Sequence, residues 1–310
     1  MKINENITII IPTKNRPEWI KRCLLYYEKS EFKGKILIAD SSAIYNPITF
    51  QNNLKKKFFF SNQKFLSKFK FINCRNLRFE PAIMKALYKV KTKYTVVIAD
   101  DDIIITRKLH LGLKFLEKNK DYSGFTGQAL TLRTSNNLPF SKDILLTKET
   151  FLDSENKFSI DRCINFLKKP TCTTFTVTSK LLAIKAFSKI ISLNSQYLRS
   201  YYFGEILHAL VILAEGKVKC FNFGFCIRQH HNDQLFNRFK FYEFISDNNF
   251  SKTVMLLKKF LLKYKKNKLK IINIDLTLKK FYEDIFRSFF VSSEKSTSIK
   301  YFIKTNLNPK

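Results

Sequence analysis

Three aspartates stand together in this chain. Asp100, Asp101 and Asp102 follow the apolar run Thr95-Val96-Val97-Ile98-Ala99. A fourth, Asp40, ends a second apolar run, Ile36-Leu37-Ile38-Ala39, and precedes Ser41-Ser42. Further on come Gly204-Glu205 and the run Arg228-Gln229-His230-His231. Adjacent carboxylates repel one another unless a cation compensates. A hard divalent ion such as Mg²⁺ or Mn²⁺ prefers oxygen ligands and commonly also holds substrate phosphates. A separate carboxylate such as Glu205 can act as a general base toward a hydroxyl. Each feature also has a plainer reading: a solvated acidic turn, a carboxylate capping its own turn, a residue matched to a helix dipole, a packed histidine pair.

The elements that must position these residues follow from the apolar pattern. Ile7 to Ile11 reads as a buried strand ended by Pro12, with Thr13-Lys14-Asn15-Arg16-Pro17 as the loop at its carboxyl end. Pro17 suits the first turn of a helix over 18–29, whose apolar face is Trp19, Ile20, Cys23, Leu24 and Tyr27. Lys35 to Asp40 is a second strand, and Lys70 to Asn73 a third. A helix is expected over 81–90, then the strand that runs into the three aspartates. Beyond it the pattern predicts a helix over 109–118 and a strand over 123–133. Loops with one short helix near 160–167 fill 134–170. A β-like stretch over 173–178, a helix over 181–191, a helix over 206–214 and a strand over 217–226 follow. Glu205 then opens a helix, where the positive end of the dipole favours the carboxylate form. A further helix is possible near 49–60. The alternation of strand and helix gives an α/β fold, with ligands expected outside the carboxyl ends of the strands.

The ordered set resembles the inverting glycosyltransferases of the family 2 type, which have a GT-A fold. The best-matching stretch is Ile9-Ile10-Ile11-Pro12-Thr13-Lys14-Asn15-Arg16-Pro17; Gly204-Glu205, Gly216-Lys217-Val218 and Arg228-Gln229-His230 resemble the second half. The resemblance covers about residues 5 to 235. It implies a Rossmann-like, mainly parallel mixed sheet flanked by helices, and a metal-dependent transfer of sugar from a nucleotide-sugar to a glycan or lipid-linked acceptor in surface polysaccharide synthesis. By the same resemblance Pro12, Thr13, Asn15 and Arg16 line the base and ribose, and Asp40 contacts the base. Asp100 or Asp101 faces the ribose or the metal. Asp101 and Asp102, with His230 or His231, lie at the divalent ion, and Glu205 is the general base. Two departures stand out. Ala39-Asp40-Ser41-Ser42 leaves the base contact to Asp40 alone, and Ala99 replaces the first aspartate of the usual metal motif. The chain divides by this reading into a glycosyltransferase domain over 1–235, with a nucleotide-sugar half over 1–133 and an acceptor half over 134–235, and a basic helical extension over 236–310.

Composition bounds the alternatives. With 310 residues and 45% apolar content the chain can bury a large core, and 7 Gly and 7 Pro exclude a low-complexity protein. The six cysteines lack zinc-ligand spacing, no apolar run is long enough to span a membrane, and the first is too short for a signal peptide, so a cytoplasmic protein is expected. A net charge of +31 calls for anionic partners. Two other classes compete. A nucleotidyltransferase is disfavoured by the absence of glycine from the loop after the first strand. A non-enzymatic basic protein binding nucleic acid or membrane leaves the ordered carboxylates unexplained, and nucleic acid is not the expected partner. In the tail, Leu257, Phe260, Leu261 and Tyr264 share one helical face. The plainer reading packs that face on the domain; the sharper one lays it on the inner face of an anionic plasma membrane, where a lipid-linked acceptor would reside.

Overall fold

The structure is a computed structural model that describes residues 5–42, 67–134, 144–149, 154–170, 175–193, 201–231, 249–264 and 269–290. Its elements in chain order are β1 (Ile7–Thr13), α1 (Pro17–Lys29), β2 (Lys35–Asp40), β3 (Phe69–Asn73), α2 (Phe79–Lys89), β4 (Tyr94–Val97), β5 (Ile103–Ile104), α3 (Leu109–Lys118), β6 (Tyr122–Thr134) and β7 (Ile144–Glu149). They continue with α4 (Ser159–Lys168), β8 (Val177–Ser179), α5 (Lys180–Ile191), α6 (Tyr201–Glu215), β9 (Lys217–His230), α7 (Asn249–Leu262) and α8 (Leu269–Phe290). The helix considered near 49–60, and Cys172, lie outside the described residues.

One mixed sheet runs in the order β3-β2-β1-β4-β8-β6-β9-β5, with β7 paired to β6. Strands β3, β2, β1 and β4 are mutually parallel, so the loops after all four lie on the same edge. Strand alternation sorts the side chains onto two faces. Ile7, Ile9, Ile11, Ile36, Ile38 and Val96 face α1 and α3, in a core with Cys23, Leu24, Tyr27 and Leu113. Ile10, Leu37, Ala39 and Val97 face the other layer, where α2, α4, α5 and α6 pack. Burial on both faces is why these strands read as continuous apolar runs.

The last two helices belong to that second layer. Leu257, Phe260 and Leu261 of α7 and Ile274, Leu278 and Phe281 of α8 are buried in the same core as α6. The plainer reading of the tail holds, because the face expected to meet a membrane is turned into the protein. Among the described residues no helix is long and apolar enough to cross a membrane.

Three elements differ from the expected pattern. β5 is only two residues, held by antiparallel pairing to Cys226 and Ile227 of β9, too short to show periodicity. β7 lies where loops were expected, and β6 supplies its partner. Helix α6 begins at Tyr201, so Glu205 sits beyond its first turn and does not open it.

Candidate functional site

The site is built on the carboxyl edge of the parallel strands. After β4, the amide of Ile98 still bonds the carbonyl of Ile10, and the chain then turns through Asp102 N–H to the Ala99 carbonyl. This turn carries Asp100, Asp101 and Asp102, all buried. The solvated-turn reading therefore fails: each carboxylate is removed from water and held by specific partners.

Asp100 accepts from the Thr13 hydroxyl at 2.7 Å and from Nη1 of Arg16 at 2.6 Å. Burial, with the charge of Asp101 beside it, raises its carboxyl to about 7 against the pull of Arg16 and Thr13. Asp101 receives the same Arg16 Nη1 at 3.2 Å, and its Oδ2 lies 3.0 Å from Nε2 of His231. Burial pushes the Asp101 carboxyl up, but His231 and Arg16 outweigh it and hold the group below its ordinary value. Asp102 accepts from the backbone amide of Gln229 at 2.9 Å, tying the acidic turn to the end of β9. Its carboxyl is raised well above the ordinary value by burial and by Asp101, against Arg228 and the Gln229 amide. The three neighbours thus do different work. Asp100 and Asp101 share Arg16, and Asp102 joins two strands.

Helix α1 braces this turn from below. Arg22 donates to the Gln229 side chain and, at 2.6 Å, to the Asp101 carbonyl. The Cys23 thiol reaches the Asp100 carbonyl at 3.2 Å, and burial lifts that thiol to about 12, so it stays protonated as a donor. Trp19, the chain's single tryptophan, has the Arg16 guanidinium 4.5 Å from its ring centroid, the Arg22 guanidinium at 4.9 Å and the His231 ring at 4.7 Å. Trp19 and Arg22 were not singled out by sequence for the site, and Gln229 entered only within the run Arg228-Gln229-His230-His231. A sole Trp and a buried Arg one helical turn apart, just after the loop, were the available signal.

The loops after β1 and β2 are cross-braced. The Asp40 carboxylate accepts from the Ser42 amide at 2.9 Å, and the Ser42 hydroxyl accepts from the Asn15 amide at 2.7 Å. The Ser41 amide bonds the Thr13 carbonyl at 2.9 Å. Asn15 holds φ at 57°, a conformation Asn tolerates better than most residues, and the Ser42 bond offsets its cost. Asp40 thus caps its turn, with Ser42 as the partner. Pro12 stays in register within β1 opposite Ala39.

Glu205 lies on α6, half-buried. Burial lifts its carboxyl from the ordinary 4.5 to about 7, with Arg228 pulling the other way. This reverses the expectation of a helix-end carboxylate held ionised. Arg228 also pulls on Asp102, so one cation acts on both the acidic turn and Glu205. The Arg228 guanidinium stands 5.5 Å from the Phe175 ring centroid. Of the two histidines, the structure sets His231 against Asp101; His230 is the last residue of β9, opposite Arg133.

Among the described residues no group of three or more His, Cys, Asp or Glu side chains is arranged to hold a metal ion. A Mg²⁺ or Mn²⁺ ion that shares substrate phosphates needs only one or two protein ligands. Asp101 Oδ2 and His231 Nε2, 3.0 Å apart, match two adjacent corners of an octahedral ion with bonds of about 2.1 Å, which lie about 3.0 Å apart. This pair fits such an ion; Asp102 accepts the Gln229 amide through Oδ1 and, among the described residues, forms no three-ligand group with the pair.

Residues 8–150 match the model of the family described as Glycosyl transferase family 2. Solved structures of S. aureus TarS are similar. TarS 1-349 shares 12% identity at a TM-score of 0.58, covering 96% of this chain and 77% of that one. The same protein in complex with UDP-GlcNAc gives 12% identity and a TM-score of 0.59, covering 96% and 78%. Its complex with UDP gives 13% identity and 0.57, covering 96% and 75%. No curated protein matches by sequence. The fold is therefore GT-A-like: a mixed sheet flanked by helices.

Proposed function

We propose that this chain is a glycosyltransferase that moves a sugar from a nucleotide-sugar donor to a glycan or lipid-linked acceptor with inversion, in surface polysaccharide synthesis. The observation that carries the proposal is the convergence of Arg16, Asp40, Asp101 and His231 on one sheet edge, with Arg228 acting electrostatically on both Asp102 and Glu205. The family match over 8–150 and the TarS complexes with UDP and UDP-GlcNAc support a nucleotide-sugar donor.

In this reading Pro12, Thr13 and Asn15 frame the nucleoside, and Asp40, pinned by Ser42, meets the base. Asp100 holds the β1 loop in place through the Thr13 hydroxyl. Asp101 and His231 would hold a divalent ion, and such an ion would supply positive charge toward the leaving diphosphate. Glu205 removes the acceptor's proton as its oxygen attacks the anomeric carbon. A base with a carboxyl near 7 is half ionised at neutral pH and accepts a proton more readily than an ordinary glutamate. Attack opposite the leaving diphosphate inverts the centre and needs no covalent intermediate.

A panel of nucleoside diphosphates, each with and without Mn²⁺, tests the proposal by thermal shift. One member should raise Tm with Mn²⁺ present, and Asp101→Asn should remove the effect. Salt-sensitive binding of nucleic acid with no response to any diphosphate would replace the enzyme reading with that of a basic binding protein.

A further inference from the structure

The contacts of Arg16 do not fit together as ordinary hydrogen bonds. Its Nη1 reaches Asp100 Oδ1 at 2.6 Å and Asp101 Oδ2 at 3.2 Å, and its Nη2 lies 3.0 Å from His231 Nε2. His231 Nε2 is at the same time 3.0 Å from Asp101 Oδ2. A guanidinium only donates, and an ionised carboxylate only accepts. If Nε2 carries a proton, it donates to Asp101 and meets the guanidinium N–H head on. If Nε2 is bare, it accepts from Arg16 and turns its lone pair on the carboxylate oxygen. One nitrogen cannot satisfy both neighbours. A pair of lone-pair donors 3.0 Å apart is instead satisfied by one cation shared between them, and Arg16 touches both.

We infer that Arg16 is a built-in placeholder for the divalent ion: its guanidinium neutralises Asp101 and His231 until the metal arrives, and must leave them for the metal to bind. The inference rests on the metal reading of that pair. It adds that metal and Arg16 compete.

Three features favour this exchange over a fixed ion pair. Arg16 is the N-cap residue of α1 and makes no side-chain capping bond there, so its side chain can move without undoing the helix start. The side chain retains 22% exposure while its carboxylate partners are almost closed off, so it has a route out to solvent. It also lies over Trp19, 4.5 Å from the ring centroid, and a cation–π contact at a partly exposed site is weak and costs little to release. A released Arg16 would then meet the anionic diphosphate that comes with the metal, for which a guanidinium fork is well suited. The arrangement keeps the site neutralised in free protein and gives metal binding a cost that the diphosphate offsets.

The test is Mn²⁺ binding by the full chain with no nucleotide, read as free Mn²⁺ by electron paramagnetic resonance. Arg16→Met keeps the stem against Trp19 and removes the charge. We expect at least tenfold tighter Mn²⁺ binding than in the wild type, with Arg16→Lys between the two because a point charge cannot span both ligands. Adding Asp101→Asn to Arg16→Met should abolish the gain. A second measurement uses the wild type alone: Mg²⁺, which does not quench, should change the emission of Trp19 in a saturable way as Arg16 leaves the ring, and no such change should occur in Arg16→Met. Equal or weaker Mn²⁺ affinity in Arg16→Met, still lost on Asp101→Asn, overturns the competition and leaves the metal site standing. Mn²⁺ binding that is absent from every variant, or indifferent to Asp101→Asn, overturns the metal site and the inference together. If Arg16→Met does not fold, Arg16→Lys and the wild-type emission decide: no gain in the first and no change in the second count against it.

Discussion

Replacing Glu205 by Gln separates what the carboxylate does for catalysis from what it costs the fold. Burial lifts the carboxyl from 4.5 to about 7. A rise of that size corresponds to about 3 kcal/mol of disfavoured ionisation, an upper value because water still reaches the half-buried side chain. The folded state therefore holds a proton that the unfolded chain releases from about pH 4.5 upward. Because the folded state binds more protons in that window, stability falls as pH rises from 4.5 through about 7 and levels off above it. Glu205→Gln removes this loss. The variant should match the wild type near pH 4.5 and exceed it by about 2–3 kcal/mol at pH 8. Urea unfolding of both proteins at the two pH values measures the gap, and taking the difference cancels Asp100 and Asp102, which titrate alike in each. The same substitution should lower transfer by about 10²–10⁴-fold while leaving stabilisation by donor diphosphate intact. The wild-type kcat/KM should fall about tenfold between pH 7.5 and pH 6 on the acid side. A stability gap independent of pH would refute the buried-carboxylate argument, and transfer near the wild-type rate would remove Glu205 as the base.

Other substitutions probe the frame. Arg22→Met strips donors from the Asp101 carbonyl and the Gln229 side chain and should cost about 3 kcal/mol in urea unfolding, with weaker diphosphate binding; a loss below about 0.5 kcal/mol would show that α1 does not brace the acidic turn. Leu261→Ala, at a fully buried position of α7, should cost about 2–5 kcal/mol. A surface-level effect there would separate the tail from the core. Gly112→Ala would set a methyl 2.2–2.4 Å from the Phe125 ring where α3 crosses β6. An unchanged Tm would show that the ring can yield; the expected cost is about 1–3 kcal/mol.

The central strands were legible in the sequence because both their faces are buried. Ile7 to Ile11, Lys35 to Asp40 and Thr95 to Ile98 had to be near-continuous apolar runs, and the chemistry at their ends stood out against them. The apolar face of the tail was legible for a related reason: helical spacing is a local property. Its destination was not, since an amphipathic helix looks the same against a protein core and against a lipid surface.

What the sequence by itself determined was that Asp40 and the three aspartates fall at strand ends, hence on one edge of a parallel sheet. Tertiary structure alone decided how they divide the work. Asp102 bonds a backbone amide 127 positions away, and Asp101 meets His231 across 130 positions, distances at which no spacing rule operates. The same holds for Glu205, whose carboxyl is set by the layers packed around α6 and by Arg228 on β9, not by its place in the helix. Burial and long-range charge are sums over the whole fold, so they become definite only when the fold is complete.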